Sequence, residues 1–358
     1  MNRTRVLSFL LFLCLLTAQA QRPKVGLVLG GGGAKGATIV GVLKEIEHAG
    51  IPIDYISGTS IGAIVGGLYS VGYRAADLDT LFRSQDWLSL LTDGSSATRG
   101  RLMEEKEGIT YIFGIPVSHR KNGKHSLSGF GLLHGDSILS FLDSLVINSP
   151  VARHAQSFPS TFPTDSSSFL QPIPFCCVTF DLQQYREVVL SSGNLARNMR
   201  ASMAIPGIFK PVITDSMMLA DGGMVNNLPV DVVKEMGAEI VIAIDLTQNK
   251  QEEYQSPIWF LKGLGGIIGW LAERPDIQRY NKNRKLADLY INPDLGNYGV
   301  LSFNADAIAD MLSMGRKAGR EHYQDLMLLK ERLSSSCSDL KTDEQDDSVR
   351  TIASVMHQ

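Results

Sequence analysis

Residues 53–68 have the pattern of a single strand–turn–helix unit. β-Branched and aromatic residues suited to a strand lead into Gly58-x-Ser60-x-Gly62, and an apolar run rich in small residues then suits a buried helix. A strand, a G-x-S-x-G turn and a helix in this order form a nucleophile elbow, in which a tight turn exposes the serine hydroxyl above the sheet. The helix dipole at such a position favours a developing alkoxide. The stretch therefore predicts Ser60 as a nucleophile, although a bare G-x-S-x-G also occurs in ordinary surface loops.

A second unit precedes this elbow. Residues 24–29 are typical of a strand buried on both faces, four consecutive glycines begin at Gly30, and a helix is predicted over 37–48, ended by Gly50. With the strand before Ser60 this gives a βαβ unit, which predicts a parallel sheet with helices on its faces.

The glycine loop allows more than one interpretation. Bare N–H groups of Gly31, Gly32 and Gly33 at a helix N-terminus suit an oxyanion hole. Gly31-x-Gly33-x-x-Gly36 also matches a dinucleotide-binding fingerprint, but that match is weak, because the nearest acid, Asp54, opens the second strand instead of ending it. The loop also lacks the lysine of a phosphate-binding P-loop. Packing of helix against strand is the remaining structural alternative.

A serine nucleophile needs a base, and Asp221 is the candidate. It follows a short apolar strand and precedes Gly222 and Gly223, which places its carboxylate on a sharp turn. None of the seven histidines lies in a recognisable catalytic turn, and only His322 and His357 come late enough for the usual hydrolase order. An ordinary Asx turn is the alternative for an isolated D-G-G. A dry site would raise the aspartate pKa and make it a better base.

The glycine loop, the G-x-S-x-G turn, the D-G-G turn and the A-S-x-x-x-P-G-x-F-x-P-V segment at 201–212 together resemble the patatin-like phospholipase family over residues 24–330. The resemblance implies a three-layer α/β/α sandwich with a mainly parallel central sheet. It also implies hydrolysis of lipid acyl esters by a Ser–Asp dyad without a metal or other cofactor. Its implied roles are the nucleophile for Ser60, the base for Asp221, the oxyanion hole for Gly31, Gly32 and Gly33, and motif glycines at Gly36, Gly58, Gly62, Gly222 and Gly223.

The two ends of the chain differ from this region. Residues 1–20 combine a basic start, a short apolar core and Ala18-Gln19-Ala20, which predicts a cleavable signal peptide. We expect a catalytic domain over 21–330 and a polar, disordered tail over 331–358. The enzyme is then exported, and the sequence leaves open whether it is periplasmic, secreted or associated with the outer membrane. An uncleaved anchor is the alternative for residues 1–20.

Composition restricts the partners. A formal net charge of −3 gives no electrostatic reason to expect nucleic acid, and export away from cytosolic nucleotide argues against a nucleotide partner. The three cysteines left after signal removal show no disulfide framework or metal-binding spacing. The expected partners are a phospholipid or another long-chain acyl ester, and a membrane surface. An exported lipid-binding module without turnover is the main rival function.

Residues 258–272 form the most apolar stretch after the predicted signal peptide. Trp259 and Trp270 would share one face of a helix. A helix packed in the core is the ordinary interpretation. An interfacial helix that brings the enzyme to lipid is the other.

Overall fold

The computed structural model describes residues 22–94, 104–106, 109–111, 133–157, 173–214, 216–248 and 276–335. The predicted signal peptide, the 258–272 segment and nearly all of the predicted tail lie outside these residues, so those interpretations stay predictions. The chain divides into two units. One unit is Lys24–Tyr323, and the other joins Met1–Pro23 to Gln324–Gln358. Within the second unit, residues 324–335 are helical.

The strands are β1 (Val25–Leu29), β2 (Tyr55–Thr59), β3 (Glu104–Lys106), β4 (Ile109–Tyr111), β5 (Phe175–Asp181), β6 (Arg186–Leu190), β7 (Val212–Ile213), β8 (Met218–Asp221), β9 (Ile240–Ile244) and β10 (Leu289–Ile291). The helices are α1 (Gly36–Ala49), α2 (Ile61–Ser70), α3 (Ala75–Ser84), α4 (Trp87–Leu91), α5 (Asp136–Ile147), α6 (Pro150–Ser157), α7 (Leu195–Ser202), α8 (Val230–Glu235), α9 (Asp276–Leu286) and α10 (Ala305–Glu321). Short 3-10 turns span Gly33–Lys35 and Gly222–Met224.

One sheet organises the larger unit, with strand order β10-β9-β1-β2-β5-β8-β7 and β6 also paired to β5. The strands from β10 to β5 are parallel to their neighbours. β6 and β8 run antiparallel to β5, and β7 runs antiparallel to β8. The predicted βαβ unit and parallel sheet are therefore confirmed, with an antiparallel edge added beyond β5. β3 and β4 form a separate antiparallel pair.

Helices cover both faces of this sheet, which confirms the layered α/β/α fold. On one face Val28 packs in a cluster with Val230 and Val233 of α8. On the other face α2 lies so close to the sheet that a Cβ added at Gly66 would meet Ile56 and Leu29 at 2.9 and 3.2 Å. Since helices pack on both faces, the strands of a parallel sheet carry apolar residues on both faces, as these strands do.

In the outer helical layer, helices also pack closely against one another at glycines. α10 packs along α1, and a Cβ at Gly315 would lie 2.0 Å from the Thr38 carbonyl oxygen. α1 ends as predicted at Gly50, whose left-handed conformation (φ 70°) closes the helix. None of the helices in the described part of the chain combines the length and the hydrophobicity needed to cross a bilayer.

Gly58 and Gly62 determine how closely the elbow can pack on β1. A Cβ at Gly62 would lie 2.1 Å from the Leu29 carbonyl oxygen, and a Cβ at Gly58 would lie 2.5 Å from the Gly62 carbonyl oxygen. Both contacts are with backbone, which cannot move aside as a flexible side chain can. The G-x-S-x-G glycines are thus required by the crossing of the strand and the helix.

We expect Gly62→Ala to lower the free energy of unfolding by about 3 kcal/mol or more, because overpacking against backbone in a closed core forces the strand and the helix apart. Thermal and urea unfolding measure this loss. Gly299→Ala is the matched control, since a Cβ there meets nothing within 4 Å. Equal stability of the two variants would show that the close approach at Gly62 is not needed.

Candidate active site

Ser60 lies between β2 and α2 in a backbone conformation that few residues other than glycine adopt. Its φ is 56° and its ψ is −123°. A non-glycine residue held in such a region costs of the order of 1–3 kcal/mol and persists only where its surroundings fix it. The residue is 7% exposed. A strained turn between a strand and a helix is the backbone arrangement that the elbow interpretation requires.

Asp221 is the last residue of β8 and accepts the Ser60 hydroxyl. The distance from Ser60 Oγ to Asp221 Oδ2 is 2.6 Å. Its other oxygen, Oδ1, accepts the Gly223 N–H at 2.7 Å, and its own N–H donates to the Ala204 carbonyl oxygen at 2.9 Å. The Asx turn considered from the sequence is therefore present, and it holds the carboxylate against the serine. The partner of the Ser60 hydroxyl is this aspartate and not a histidine.

β5 brings these two residues together, although they lie 161 positions apart in the chain. β6 pairs with Cys177 to Asp181 along one edge of β5, and on the other edge Thr59 pairs with Val178. Thr179, the next residue of β5, pairs with Asp221 on that same edge. β2 and β8 therefore share one edge of β5 and meet there at their carboxyl ends, which brings the serine and the aspartate together.

Burial sets the protonation behaviour of the aspartate. Removal from water raises the pKa of Asp221 from its ordinary 3.8 to about 6, although the hydrogen bonds from Ser60 and Gly223 act in the opposite direction. A carboxylate with a pKa near 6 is a better proton acceptor at neutral pH than an ordinary aspartate.

The glycine loop lies beside this pair, but its three amides are not equivalent. The Gly31 N–H donates to the Asn227 carbonyl oxygen at 3.2 Å, and Asn227 Nδ2 donates to the Gly31 carbonyl oxygen at 3.3 Å. The Gly32 and Gly33 amides find no acceptor among the residues that the structure describes. The Gly31 N–H is therefore not free to donate to an oxyanion, because it already donates to the Asn227 carbonyl oxygen. Gly32 and Gly33 remain as the candidate donors.

Two contacts fix the shape of the loop. Gly33 has φ +58°, and a Cβ there would lie 2.3 Å from the Val300 carbonyl oxygen. Lys35 Nζ donates to the Leu246 carbonyl oxygen at 2.9 Å, and burial lowers the pKa of Lys35 while the nearby Asp245 opposes that change. The segments that follow β9 and β10 thus hold the loop.

Gly36, Gly222 and Gly223 also lie at close contacts. A Cβ at Gly36 would be 2.1 Å from Ile61, and a Cβ at Gly222 would be 2.3 Å from the Val178 carbonyl oxygen. At Gly223 the nearest atom is Asn227 Oδ1, at 2.8 Å. Together with the elbow glycines, they allow the loop, the elbow and the D-G-G turn to meet.

Ser60 opens into an apolar cleft. The cleft is lined by Gly33, Ser60, Ile61, Ile64, Trp87, Leu88, Leu91, Thr92, Leu133, Ile138, Met203, Ile205, Ile208, Phe209, Val300, Leu301 and Phe303. No charged side chain is among these lining residues, and Ser60 and Thr92 supply the only hydroxyls. The cleft therefore suits a hydrocarbon chain and would strongly disfavour a charged group.

Sequence reasoning missed two residues that support the site. Ser202 accepts the Ser60 N–H with its hydroxyl, and Asn227 holds the Gly31 peptide. Ser202 belongs to the 201–212 segment that carried part of the family resemblance. The sequence motif could therefore be recognised, but the contact of Ser202 with Ser60 could not be predicted from it. Asn227 follows the D-G-G turn by a few residues and has no local signal of its own.

A serine on a strand–turn–helix elbow, bonded to a buried aspartate beside an apolar cleft, is the arrangement typical of serine acyl-hydrolases. Residues 27–234 match the family model described as patatin-like phospholipase. The chain belongs to the patatin-like phospholipase family.

Relatives with this domain are much longer than the chain. Lysophospholipase nte1 of Emericella nidulans is 29% identical over 325 residues, which cover 84% of the chain and 18% of that protein. Patatin-like phospholipase domain-containing protein 6 of Mus musculus is 33% identical over 224 residues, covering 62% of the chain and 13% of that protein. The chain thus spans less than a fifth of these relatives. Among solved structures, VipD from Legionella pneumophila matches with a TM-score of 0.47 at 15% identity, covering 85% of the chain and 67% of VipD.

The buried carboxylate makes a prediction about stability. A group whose pKa is higher in the folded than in the unfolded chain stabilises the fold at low pH, and this contribution is lost as pH rises through the folded value. A rise from 3.8 to about 6 corresponds to about 3 kcal/mol. We therefore expect Asp221→Asn to be more stable than the wild type at pH 8, by up to this amount, and to lose the advantage near pH 4.

Denaturant unfolding at the two pH values measures the difference. Asp181→Asn provides the control, because Asp181 is fully buried on the adjacent strand β5 but does not contact Ser60. A stabilisation of Asp221→Asn that does not depend on pH would contradict the assignment of burial as its cause.

Proposed function

We propose that the chain is a serine hydrolase of lipid acyl esters, in which Ser60 is the nucleophile and Asp221 is the base. The observation that carries this proposal is the 2.6 Å hydrogen bond from Ser60 Oγ to Asp221 Oδ2 beside an apolar cleft. A nucleophile within hydrogen-bond reach of a base, with the base oriented by a third group, is the geometry that such catalysis needs. Here the third group is the Gly223 N–H.

The reaction proceeds in two halves. Ser60 Oγ attacks the ester carbonyl carbon while its proton passes to Asp221, and the Gly32 and Gly33 amides stabilise the charge on the carbonyl oxygen. The C–O bond to the alcohol breaks, and the alcohol leaves with the proton held by Asp221. Asp221 then takes a proton from water, which attacks the acyl-serine ester. The bond to Ser60 breaks, Ser60 recovers its proton from Asp221, and the fatty acid is released.

The cleft and the relatives support a long-chain substrate. An acyl chain in the cleft would bury methylene groups against side chains such as Ile64, Trp87 and Phe209, at about 0.8 kcal/mol per methylene. Relatives with this domain are named lysophospholipases. We therefore propose phospholipids or lysophospholipids as the substrate class, presented at a membrane surface.

The dyad predicts a specific pattern of labelling by a fluorophosphonate probe. The wild type should be labelled at Ser60 and should hydrolyse a long-chain ester. Ser60→Ala should lose both properties with an intact fold, and Asp221→Asn should lose at least about 10³-fold in kcat because an amide accepts no proton. Peptide mapping and ester turnover measure these effects.

Asp181→Asn is again the matched control, and we expect it to be labelled normally. A wild type that binds lipid vesicles without labelling or turnover would instead support a lipid-binding module. Near-normal turnover of Asp221→Asn would show that another group is the base.

The pKa of Asp221 also predicts how activity depends on pH. Only the deprotonated carboxylate accepts the Ser60 proton, so kcat/KM should rise about tenfold per pH unit below pH 6 and level off above it. A neutral long-chain ester avoids titration of the substrate. An inflection near pH 4, the value of an exposed aspartate, would contradict the effect of burial, and an activity that falls through pH 6 would contradict the base role.

A further inference from the structure

A side chain interrupts the end of the hydrogen-bond ladder between β2 and β5. The Ile56 N–H donates to the Pro174 carbonyl oxygen at 2.9 Å. Bonds from one strand of a parallel ladder to the same neighbour recur every second residue. With this spacing the Ser60 N–H would donate directly to the Val178 carbonyl oxygen. In the structure the Ser202 hydroxyl lies between them.

Both hydrogen bonds of this hydroxyl are well formed. The Ser60 N–H donates to Ser202 Oγ at 2.9 Å, and Ser202 Oγ donates to the Val178 carbonyl oxygen at 2.6 Å. Ser202 has no exposed surface. A hydroxyl can serve in this position because it donates and accepts at the same time.

The inserted hydroxyl accounts for the departure of Ser60 from the sheet. Two hydrogen bonds in series are longer than one, so the Ser60 peptide is held away from β5 where a continued ladder would pull it in. Ser60, whose N–H makes this bond, is also the residue with the positive φ. The bond also satisfies a buried N–H that would otherwise destabilise the strained turn.

The same segment holds the aspartate. α7 ends at Ser202, and two residues later the Ala204 carbonyl oxygen accepts the Asp221 N–H at 2.9 Å. The backbones on both sides of the Ser60–Asp221 hydrogen bond are therefore attached to residues 202–204. A change at Ser202 would alter the distance between the two side chains more directly than a change elsewhere in the core.

We propose that Ser202 is a positioning residue for the Ser60–Asp221 dyad. Its hydroxyl completes the interrupted ladder and sets the orientation of the elbow, so that Ser60 Oγ faces both Asp221 and the ester. It does not itself contact the substrate, since it does not line the cleft. This inference rests on the function proposed above.

Ser202→Ala tests the proposal. We expect kcat for a long-chain ester to fall by roughly 10²-fold, because an error of about 1 Å in the position of a reacting group has an effect of that size. KM should stay within about twofold, since the cleft keeps its lining residues. The lower inflection of the pH profile should move upward, because the Ser60 hydrogen bond lowers the Asp221 pKa and would be weakened. Ser202→Cys keeps a side chain in the space with a weaker acceptor, and should show the same pattern if Ser202→Ala does not fold.

Ser57→Ala is the matched control. Ser57 is also fully buried in this part of the sheet, and its hydroxyl donates to the Pro229 carbonyl oxygen at 2.8 Å, but it does not contact Ser60. We expect its melting temperature to fall as much as that of Ser202→Ala, with kcat and the pH profile unchanged.

The outcomes separate the two proposals. A wild type without labelling at Ser60 or ester turnover overturns the proposed function itself. An active wild type whose Ser202→Ala or Ser202→Cys variant keeps normal kcat, or loses no more kcat than Ser57→Ala, overturns the positioning role alone.

Discussion

The candidate site depends on the position of β5 in the sheet. Ser60 follows β2 and Asp221 ends β8, and these two strands share the edge of β5 that lies opposite β6. The change from parallel to antiparallel pairing along β5 is what brings the two residues together, because β8 then runs toward β2 and its last residue pairs with β5 next to the last residue of β2. A β8 parallel to β5 at the same place would begin beside Thr59 and end away from Ser60. The mixed sheet is therefore part of how the site is assembled.

Two features of this site are energetically unfavourable. Ser60 stays in a strained conformation, and Asp221 stays in a buried place that disfavours its charged form. Each is compensated by a fixed hydrogen bond, which the Ser60 N–H donates to the Ser202 hydroxyl and the Gly223 N–H donates to the Asp221 carboxylate. Stored strain and a displaced pKa in one cleft are common features of functional sites.

Much of this arrangement could be predicted from local patterns. The elbow at Ser60 and the D-G-G turn at Asp221 each carry their backbone requirement in adjacent glycines, and the buried strands show as continuous apolar runs. The antiparallel edge and the contacts of Ser202 and Asn227 could not be predicted, because they depend on pairing between distant segments. The difference between Gly31 and the other two loop glycines has the same origin, since the Gly31 N–H donates to the carbonyl oxygen of Asn227, almost two hundred positions later.

The composition of the cleft and the chemistry of the base are linked by water. The cleft beside Ser60 is lined by apolar side chains, and the pKa of Asp221 rises because water is absent around its carboxylate. In the proposed reaction a long acyl chain would fill this space and keep water out during the attack, which would maintain the raised pKa of Asp221 and strengthen the oxyanion hydrogen bonds. A short ester leaves room for water beside Ser60 and supplies little binding free energy to hold the carbonyl in place. Since binding of a remote, unreactive part of a substrate can lower the barrier at the reacting atoms, the acyl chain would act on kcat as well as on affinity. The apolar cleft is thus better understood as part of the reacting site than as a separate binding surface.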